Sequence, residues 1–191
     1  MAGNRNREVM SRVLVVLADG FEEIEAVTPI DILRRADLDV VVAGLEKKDV
    51  TGAHGLHLIA DILLKDVIGI PEMIVLPGGP GAERLGESKI LQAMIQKIKA
   101  ANQWVAAICA APAVVLGRNG FLEGKNATCF PGYEKELGAT ATFLKDRVVT
   151  DGQIVTSRAA GTAMEFSLEL VKKLAGEKKA QEIAEKILAK Q

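Results

Sequence analysis

The sequence is poor in cysteine and histidine. Of its 191 residues, two are cysteines (Cys109 and Cys129) and two are histidines (His54 and His57). Two cysteines provide no disulfide framework, so we expect a reducing, cytoplasmic setting. No cluster of Cys, His and Asp has metal-ligand spacing, and the dinucleotide and phosphate-loop fingerprints are missing. The sequence therefore predicts neither a metal nor another cofactor.

Aromatic residues make up only 4% of the chain, and its net charge is −1. Nucleic-acid-binding surfaces usually combine positive charge with aromatic rings, so no nucleic-acid partner is predicted. Glycine, proline or a charged residue interrupts each apolar run before it reaches transmembrane length, so we expect no membrane insertion.

The polar start MAGNRNREVMS lacks the apolar region of a secretory signal, although a short organellar presequence stays open. We assign residues 1–11 to an N-terminal extension that is either disordered or derived from the expression vector. Residues 12–191 are assigned to a single domain.

What the sequence does contain is an alternation of buried strands and amphipathic helices. Apolar runs of strand length lie at 12–18, 38–45, 71–79 and 104–109, and segments with helical spacing at 22–36, 89–102, 111–120, 163–176 and 178–190. A shorter strand at 55–61 and a hairpin over 147–158 complete the pattern. This order predicts a mostly parallel sheet covered on both faces, which is a flavodoxin-like three-layer α/β/α sandwich.

The first helix carries an apolar stripe that predicts its buried face. Ile24, Val27, Ile30, Leu33 and Ala36 recur at helical spacing. A proline inside the same segment is expected to bend the helix.

Cys109 stands where a strand ends and a helix begins, in the sequence VAAICAAPAVVLG. Sites in open α/β sheets form at the carboxyl ends of strands. Small neighbours such as Ala110 permit the sharp bend of a nucleophile elbow, and Pro112 suits a first helical turn. The free N–H groups of a helix start stabilise a thiolate and lower the pKa of a cysteine from about 8.5. An inert core cysteine fits the same pattern, so both interpretations stay open.

Two further loops carry groups that suit the same chemistry. Gly78 and Gly79, in LPGGPGAE, expose backbone N–H groups that suit an oxyanion, although a tight turn explains them equally. In DGFEEIEAV, Glu22 and Glu23 fit surface positions near a helix start, whereas Glu25 lies near the apolar stripe. A partly buried Glu25 would have a raised pKa and share a proton with a thiolate, and a solvated acid is the alternative.

These motifs together resemble the ThiJ/PfpI superfamily, in the branch of the parkinsonism-associated protein deglycase and the bacterial YajL-like proteins. The resemblance runs from about residue 12 to residue 175. It rests on LADGFEEIEAVTPIDILRRA, VAGLEKKDV, IVLPGGPGAERL, VAAICAAPAVVL and VTSRAAGTAMEFSLELV.

The resemblance implies roles for individual residues. It makes Cys109 the nucleophile and Glu25 the protonated acid beside it. Gly78, Gly79 and Ala110 would line the pocket with their backbone. Such proteins form homodimers through the first helix, and a Ser-Arg segment, here Ser157 and Arg158, approaches the site from the partner.

Histidine is where the sequence departs from parts of this superfamily. One branch has a histidine before proline, where this sequence has Phe130 before Pro131, and the YajL-like proteins share the phenylalanine. Ala110 stands where other branches have a histidine directly after the cysteine. His54 either reaches the pocket from its loop or is simply solvated. Because a cysteine peptidase relies on a Cys–His pair, a peptidase is the least favoured activity.

The resemblance therefore implies a cofactor-free, Cys109-dependent glyoxalase or deglycase. Its substrates would be small aldehydes, namely glyoxal and methylglyoxal, or their early adducts on proteins. A chaperone that senses oxidation through Cys109 is the alternative.

Overall fold

The computed structural model describes residues 13–189, in which eleven strands and five α-helices are found. The strands are β1 (Val13–Leu17), β2 (Val40–Gly44), β3 (Asp49–Thr51), β4 (His57–Ile59), β5 (Ile62–Leu63), β6 (Met73–Leu76), β7 (Trp104–Ile108), β8 (Asn126–Ala127), β9 (Thr142–Phe143), β10 (Val148–Asp151) and β11 (Ile154–Ser157). The helices are α1 (Glu23–Arg35), α2 (Gly81–Glu87), α3 (Lys89–Ala100), α4 (Ala163–Ala175) and α5 (Glu177–Lys186).

Seven strands form the central sheet, in the order β10-β11-β7-β6-β1-β2-β5. All neighbours pair in parallel except β10, which pairs antiparallel with β11 as the predicted hairpin. The strand predicted at 55–61 contains β4, which pairs antiparallel with β3 in a separate two-stranded sheet. The predicted flavodoxin-like three-layer α/β/α sandwich is confirmed, with a mostly parallel sheet between two helical layers.

Side chains of the buried strands alternate between two cores, one on each face of the sheet. In β1, Leu14 and Val16 pack on the face covered by α2 and α3, while Val15 and Leu17 pack on the face covered by α1, α4 and α5. This period of two follows from strand geometry. Because helices cover both faces, every residue of β1 is apolar and buried.

The phase predicted for the first helix is partly wrong. Ile24 and Val27 are 53% and 41% exposed, whereas Ala26, Ile30 and Leu33 are buried. The observed buried face is rotated about the helix axis relative to the predicted one. Glu25 and Pro29 occupy buried positions, whereas Ile24 and Val27 do not. The outward side of α1 is therefore more apolar than a solvent-facing helix normally is.

The segment after β7 is a π-helical turn over Pro112–Gly117, shorter than the helix predicted over 111–120. A π-helix has hydrogen bonds between residues five apart, one more than in an α-helix. Here the Arg118 N–H donates to Ala113 O at 3.0 Å. Gly117 is required here, since a Cβ at this residue would stand 2.1 Å from the backbone oxygen of Glu136.

β1 and β6 are neighbours in the sheet, but the strand that follows β1 along the chain (β2) lies on one side of them and the strand that follows β6 (β7) lies on the other. The strand order therefore reverses between β1 and β6. Such a reversal opens a crevice at the carboxyl ends of the strands. The predicted extension at 1–11 lies outside the described residues, and the single-domain assignment of 12–191 stays a prediction. Between residues 13 and 189, no helix combines the length and apolar character needed to cross a bilayer.

Candidate active site

Cys109 occupies a strained turn at the carboxyl end of β7. Its φ is +65°, in the left-handed region that side-chain-bearing residues rarely adopt. Hydrogen bonds hold the turn on both sides: the Cys109 N–H donates to Ser157 O at 2.9 Å, and its carbonyl accepts from Phe130 N at 2.8 Å. Such strain is typical of a nucleophile elbow, where the backbone turns sharply beneath a projecting side chain.

Gly78 allows the loop after β6 to pass close to this elbow. A Cβ at Gly78 would stand 2.6 Å from Cβ of Cys109, 2.8 Å from Oε2 of Glu25 and 3.0 Å from N of Ala110. Any side chain would therefore push these groups apart. The loop needs glycine here for close approach, so it is more than a tight turn.

Gly79 needs glycine for a second reason, its φ of +80°. A Cβ here would also stand 2.5 Å from Gly20 O and 2.7 Å from Glu22 N. The backbone N–H groups of Gly79 and Ala110 both interact with the Cys109 sulfur. They are therefore placed to stabilise negative charge on that sulfur or on an oxygen bound beside it.

Glu25 lies on the first turn of α1 and is 1% exposed. The Gly78 N–H donates to its Oε2 at 2.9 Å. The other oxygen, Oε1, is buried and has no hydrogen-bond partner of standard geometry among residues 13–189. Burial favours the protonated acid, although the backbone N–H of Ala160 also acts on this carboxyl and lowers its pKa. The sequence left open whether Glu25 is buried or solvated, and the structure places it in the interior.

Glu25 and Cys109 hold their protons as a pair. Burial raises the pKa of the Glu25 carboxyl to about 7, although the Cys109 side chain and the Gly78 N–H oppose the rise. Burial and the charge of Glu25 raise the pKa of the Cys109 thiol to about 12, against the lowering effect of the Gly79 and Ala110 N–H groups. Between these two values the pair keeps one proton and carries one negative charge.

The low thiol pKa predicted from the sequence stays a prediction for a thiol beside a protonated Glu25, because an ionised Glu25 helps to raise that pKa to about 12. The predicted helix is only the six-residue turn Pro112–Gly117. Burial and the neighbouring carboxylate are the largest causes of the raised pKa of Cys109, and they outweigh the lowering effect of the Gly79 and Ala110 N–H groups. A thiolate at neutral pH therefore requires the shared proton to lie on Glu25.

A cavity of about 560 Å³ opens above the pair. Its walls come from the loop after β1 with the start of α1, the loop after β6 with the start of α2, the elbow after β7 with the π-helical turn, the loop after β8 and the loop after β11. The lining residues are Glu22, Glu25, Gly79, Pro80, Ala82, Glu83, Cys109, Ala110, Val114, Phe130, Tyr133, Ala159, Ala160 and Gly161. The volume suits a small organic molecule.

The structure brings some of the predicted site residues together and keeps others apart. Cys109, Glu25, Gly79, Ala110 and Phe130 line the cavity. Gly78 lies directly beneath it, through its contacts with the cysteine and the acid.

The predicted Ser-Arg segment does not line the cavity within this chain. Ser157 is buried, and its Oγ contacts Arg147 O at 2.8 Å and Thr162 Oγ1 at 2.6 Å. Arg158 lies over the ring of Phe143, with 5.5 Å between its Cζ and the ring centroid.

His54 lies outside the cavity, beside the acids at the start of α1. Its Nδ1 is 2.8 Å from Glu23 Oε2 and 3.5 Å from Glu22 Oε2. These three side chains could each offer a ligand atom to a metal ion, but the contacts with His54 already account for their arrangement. The expectation that no metal is used stays a prediction.

Sequence reasoning missed the walls contributed by Glu83, Tyr133 and the segment 159–161. Arg118 links two of these walls, because it binds Glu83 on α2 with two nitrogens and Glu136 with a third. Nothing in the local sequence around Arg118 pairs it with acids 35 and 18 residues away.

The chain is similar to known proteins over most of its length. The model of the DJ-1/PfpI family matches residues 11–173. Protein DJ-1 homolog B of Arabidopsis thaliana is 47% identical over 91% of the chain, which spans 40% of that protein. The glutathione-independent glyoxalase DJR-1.2 of Caenorhabditis elegans is 31% identical, and the match covers 91% of the chain and 93% of that protein.

A solved structure resembles the whole fold. Oxidized DJ-1 of Toxoplasma gondii superposes with a TM-score of 0.89 at 40% identity, over 93% of this chain and 98% of that one. With the family model matching most of its length, and with this fold and this elbow cysteine, the chain belongs to the DJ-1/PfpI family.

Proposed function

We propose that this protein is a cofactor-free glyoxalase or deglycase that acts on methylglyoxal, glyoxal or their early adducts on proteins. The observation that carries the proposal is the pairing of the strained Cys109 with the buried Glu25 at the floor of one cavity. The named activity of the Caenorhabditis elegans relative supports the same class of reaction.

The reaction begins with the sulfur of Cys109. Transfer of the thiol proton to Glu25 leaves a thiolate, which adds to the aldehyde carbon of methylglyoxal. The resulting hemithioacetal oxyanion faces the N–H groups of Gly79 and Ala110, which stabilise it as an oxyanion hole does. Glu25 then supplies the proton that this oxygen takes up.

The next step moves hydrogen within the substrate. The Glu25 carboxylate removes the hydrogen of the former aldehyde carbon as a proton and returns it to the adjacent ketone carbon, while the hydroxyl proton of the hemithioacetal moves to the former ketone oxygen. The aldehyde carbon is thereby oxidised and the ketone carbon reduced, so no external oxidant or reductant is needed. Water hydrolyses the resulting 2-hydroxyacyl thioester of Cys109 to lactate and the free thiol. From glyoxal, the same steps give glycolate.

Lactate formation from methylglyoxal tests this proposal directly. We expect Cys109→Ser to abolish lactate formation and Glu25→Gln to reduce it strongly, because each variant removes one partner of the pair. A Cys129→Ser variant is the matched control, since Cys129 is buried and does not line the cavity. Lactate formation that survives Cys109→Ser would overturn the proposal.

A redox-sensing chaperone is the second candidate function, favoured by the partial exposure of Cys109 and by the oxidized state of the similar Toxoplasma protein. Mild peroxide would then add two oxygen atoms to Cys109, giving a sulfinate held by Glu25 and the backbone N–H groups. Intact-mass measurement and an aggregation assay distinguish the two. Suppressed aggregation without any lactate would favour the chaperone.

A peptidase is disfavoured, because no histidine lines the cavity in the described part of the chain. We further propose a cytoplasmic setting, which would keep Cys109 reduced.

We also propose a homodimer formed through α1. Ile24 and Val27 on this helix are exposed large apolar side chains, and burial against a second copy would remove them from water. Sedimentation velocity tests this. We expect a dimer that dissociates when Ile24 is changed to lysine, and a wild-type monomer would contradict the proposal.

A further inference from the structure

Three carboxylates line the cavity above Cys109, and no lysine or arginine of the described chain joins them. Their charges are compensated differently. Glu25 is buried and accepts a hydrogen bond from Gly78. Glu83 forms an ion pair with two nitrogens of Arg118, at 2.5 and 3.1 Å.

Glu22 is the carboxylate whose charge remains for a substrate. Within residues 13–189, its ion partner is His54, with 3.5 Å between Nδ1 and Oε2. The same ring nitrogen lies closer to Glu23, at 2.8 Å. Because two carboxylates share one imidazole, at least one negative charge stays uncompensated even when that ring is protonated.

The field of Glu22 acts inside the cavity rather than only at the surface. Its side chain is 17% exposed, so solvent screens its charge less than that of a free surface acid. Its backbone N–H donates to Gly78 O at 3.1 Å, which ties it to the loop beneath Cys109. The charge of Glu22 also raises the pKa of the Glu25 carboxyl, so its influence reaches the reacting groups.

We propose that Glu22 is a specificity-determining residue, which favours substrates whose group beside the reacting carbonyl is neutral or cationic and disfavours those that carry a carboxylate or phosphate. This inference rests on the proposed function, since it concerns the same cavity. A second anion in the cavity would face both Glu22 and the charge shared by Cys109 and Glu25. A cationic group, such as one from the side chain of a modified lysine or arginine, would be attracted instead.

Arylglyoxals matched in shape test the proposal by their conversion to mandelates. The cationic 4-(trimethylammonio)phenylglyoxal is compared with its neutral 4-tert-butyl analogue, and the anionic 4-carboxyphenylglyoxal with its neutral 4-carbamoyl analogue. Each ratio of kcat/KM is measured for the wild type, for Glu22→Gln and for Glu185→Gln. Glu185→Gln is the control, because it removes one carboxylate at an exposed position on α5, outside the cavity.

In Glu22→Gln we expect the cationic-to-neutral ratio to fall and the anionic-to-neutral ratio to rise, each by roughly tenfold. This is the effect of a unit charge about 7 Å away at an effective dielectric constant of about 40. Because each ratio compares the same two substrates in both proteins, intrinsic differences in their reactivity cancel. Glu185→Gln should match the wild type. Ratios unchanged by Glu22→Gln would overturn the proposal.

A thiol-modification experiment separates this inference from the proposed function. The reagents are a cationic methanethiosulfonate (ethyltrimethylammonium) and an anionic one (ethylsulfonate), which modify Cys109 without turnover. Glu22→Gln should lower the cationic-to-anionic rate ratio by a similar factor, with Cys109→Ser as the blank. If no arylglyoxal is converted but this ratio falls, the proposed function fails and the role of Glu22 in selecting charge stands. If the ratio does not change, the role of Glu22 fails.

Discussion

Gly78 donates its backbone N–H to Oε2 of Glu25 at 2.9 Å, across the crevice where the strand order of the sheet reverses. The bond joins the loop after β6 to the first turn of α1. It also fixes Gly78 so close to Cys109 that a Cβ would be 2.6 Å from the cysteine Cβ. Through this one glycine, the nucleophile and the acid are held in contact.

Replacing Gly78 with alanine should therefore damage both activity and stability. We expect loss of most lactate formation and a fall in the free energy of unfolding of about 1–3 kcal/mol, as for an overpacked core. Gly161→Ala is the matched control, since Gly161 lines the same cavity but a Cβ there would meet nothing within 4 Å. Urea denaturation and the lactate assay measure both effects. A Gly78→Ala protein as active and stable as the control would show that the close approach is not required.

The left-handed backbone at Cys109 predicts an unusual order of stability. At an ordinary buried position, glycine is less stable than alanine by about 0.5–1 kcal/mol. At a φ of +65° alanine keeps the steric strain, worth about 1–2 kcal/mol, and glycine relieves it. We expect Cys109→Gly to unfold at the same or a higher urea concentration than Cys109→Ala. A clear advantage for Cys109→Ala would mean that this turn is not strained.

The raised pKa of Glu25 predicts that stability depends on pH. Because the folded Glu25–Cys109 pair loses its first proton with a pKa of about 7, above the ordinary carboxyl value of 4.5, the folded protein binds this proton more tightly than the unfolded chain does. The associated stability is fully present below about pH 4.5 and is lost as the pH rises through 7, a difference of about 3 kcal/mol. Glu25→Gln should remove most of this slope between pH 4.5 and 8 in urea denaturation. Glu185→Gln should leave it unchanged, and a slope that persists in Glu25→Gln would assign it to other groups.

Loss of the Arg118 ion pairs should affect substrate binding more than folding. Arg118 joins Glu83 on one wall of the cavity to Glu136, which follows the wall residue Tyr133. Because these ion pairs are partly exposed, Arg118→Gln should cost only about 1 kcal/mol of stability. The freed walls should raise KM more than they lower kcat for methylglyoxal. A fall in kcat alone would contradict a role in shaping the cavity.

The sequence predicts the fold well because its strands are continuously apolar and its helices are periodic. It predicts less about α1, where Glu25 and Pro29 take buried positions and leave Ile24 and Val27 exposed. Periodicity assigns charged residues to the surface, so a buried functional acid shifts the apparent phase of its helix.

The site itself depends on contacts that no local pattern contains. The turn at Cys109 and its small neighbours could be read from the sequence. The left-handed backbone could not, because hydrogen bonds with Ser157 and Phe130, far along the chain, hold it. The same holds for the thiol pKa, since the burial that raises it comes from elements brought together only by folding.

Ultraviolet titration of the Cys109 thiolate tests the central claim, that the proton shared by the pair lies on Glu25 and the negative charge on sulfur. Absorbance near 240 nm is followed against pH for the wild type, with Cys109→Ser subtracted. Cys129 does not contribute to this difference, because both proteins contain it. The pair loses its first proton with a pKa of about 7, and we predict that this proton comes from sulfur, so that the thiolate signal develops below the value of about 8.5 for free cysteine. A signal that develops only well above pH 9 would leave the charge on Glu25 and contradict the account.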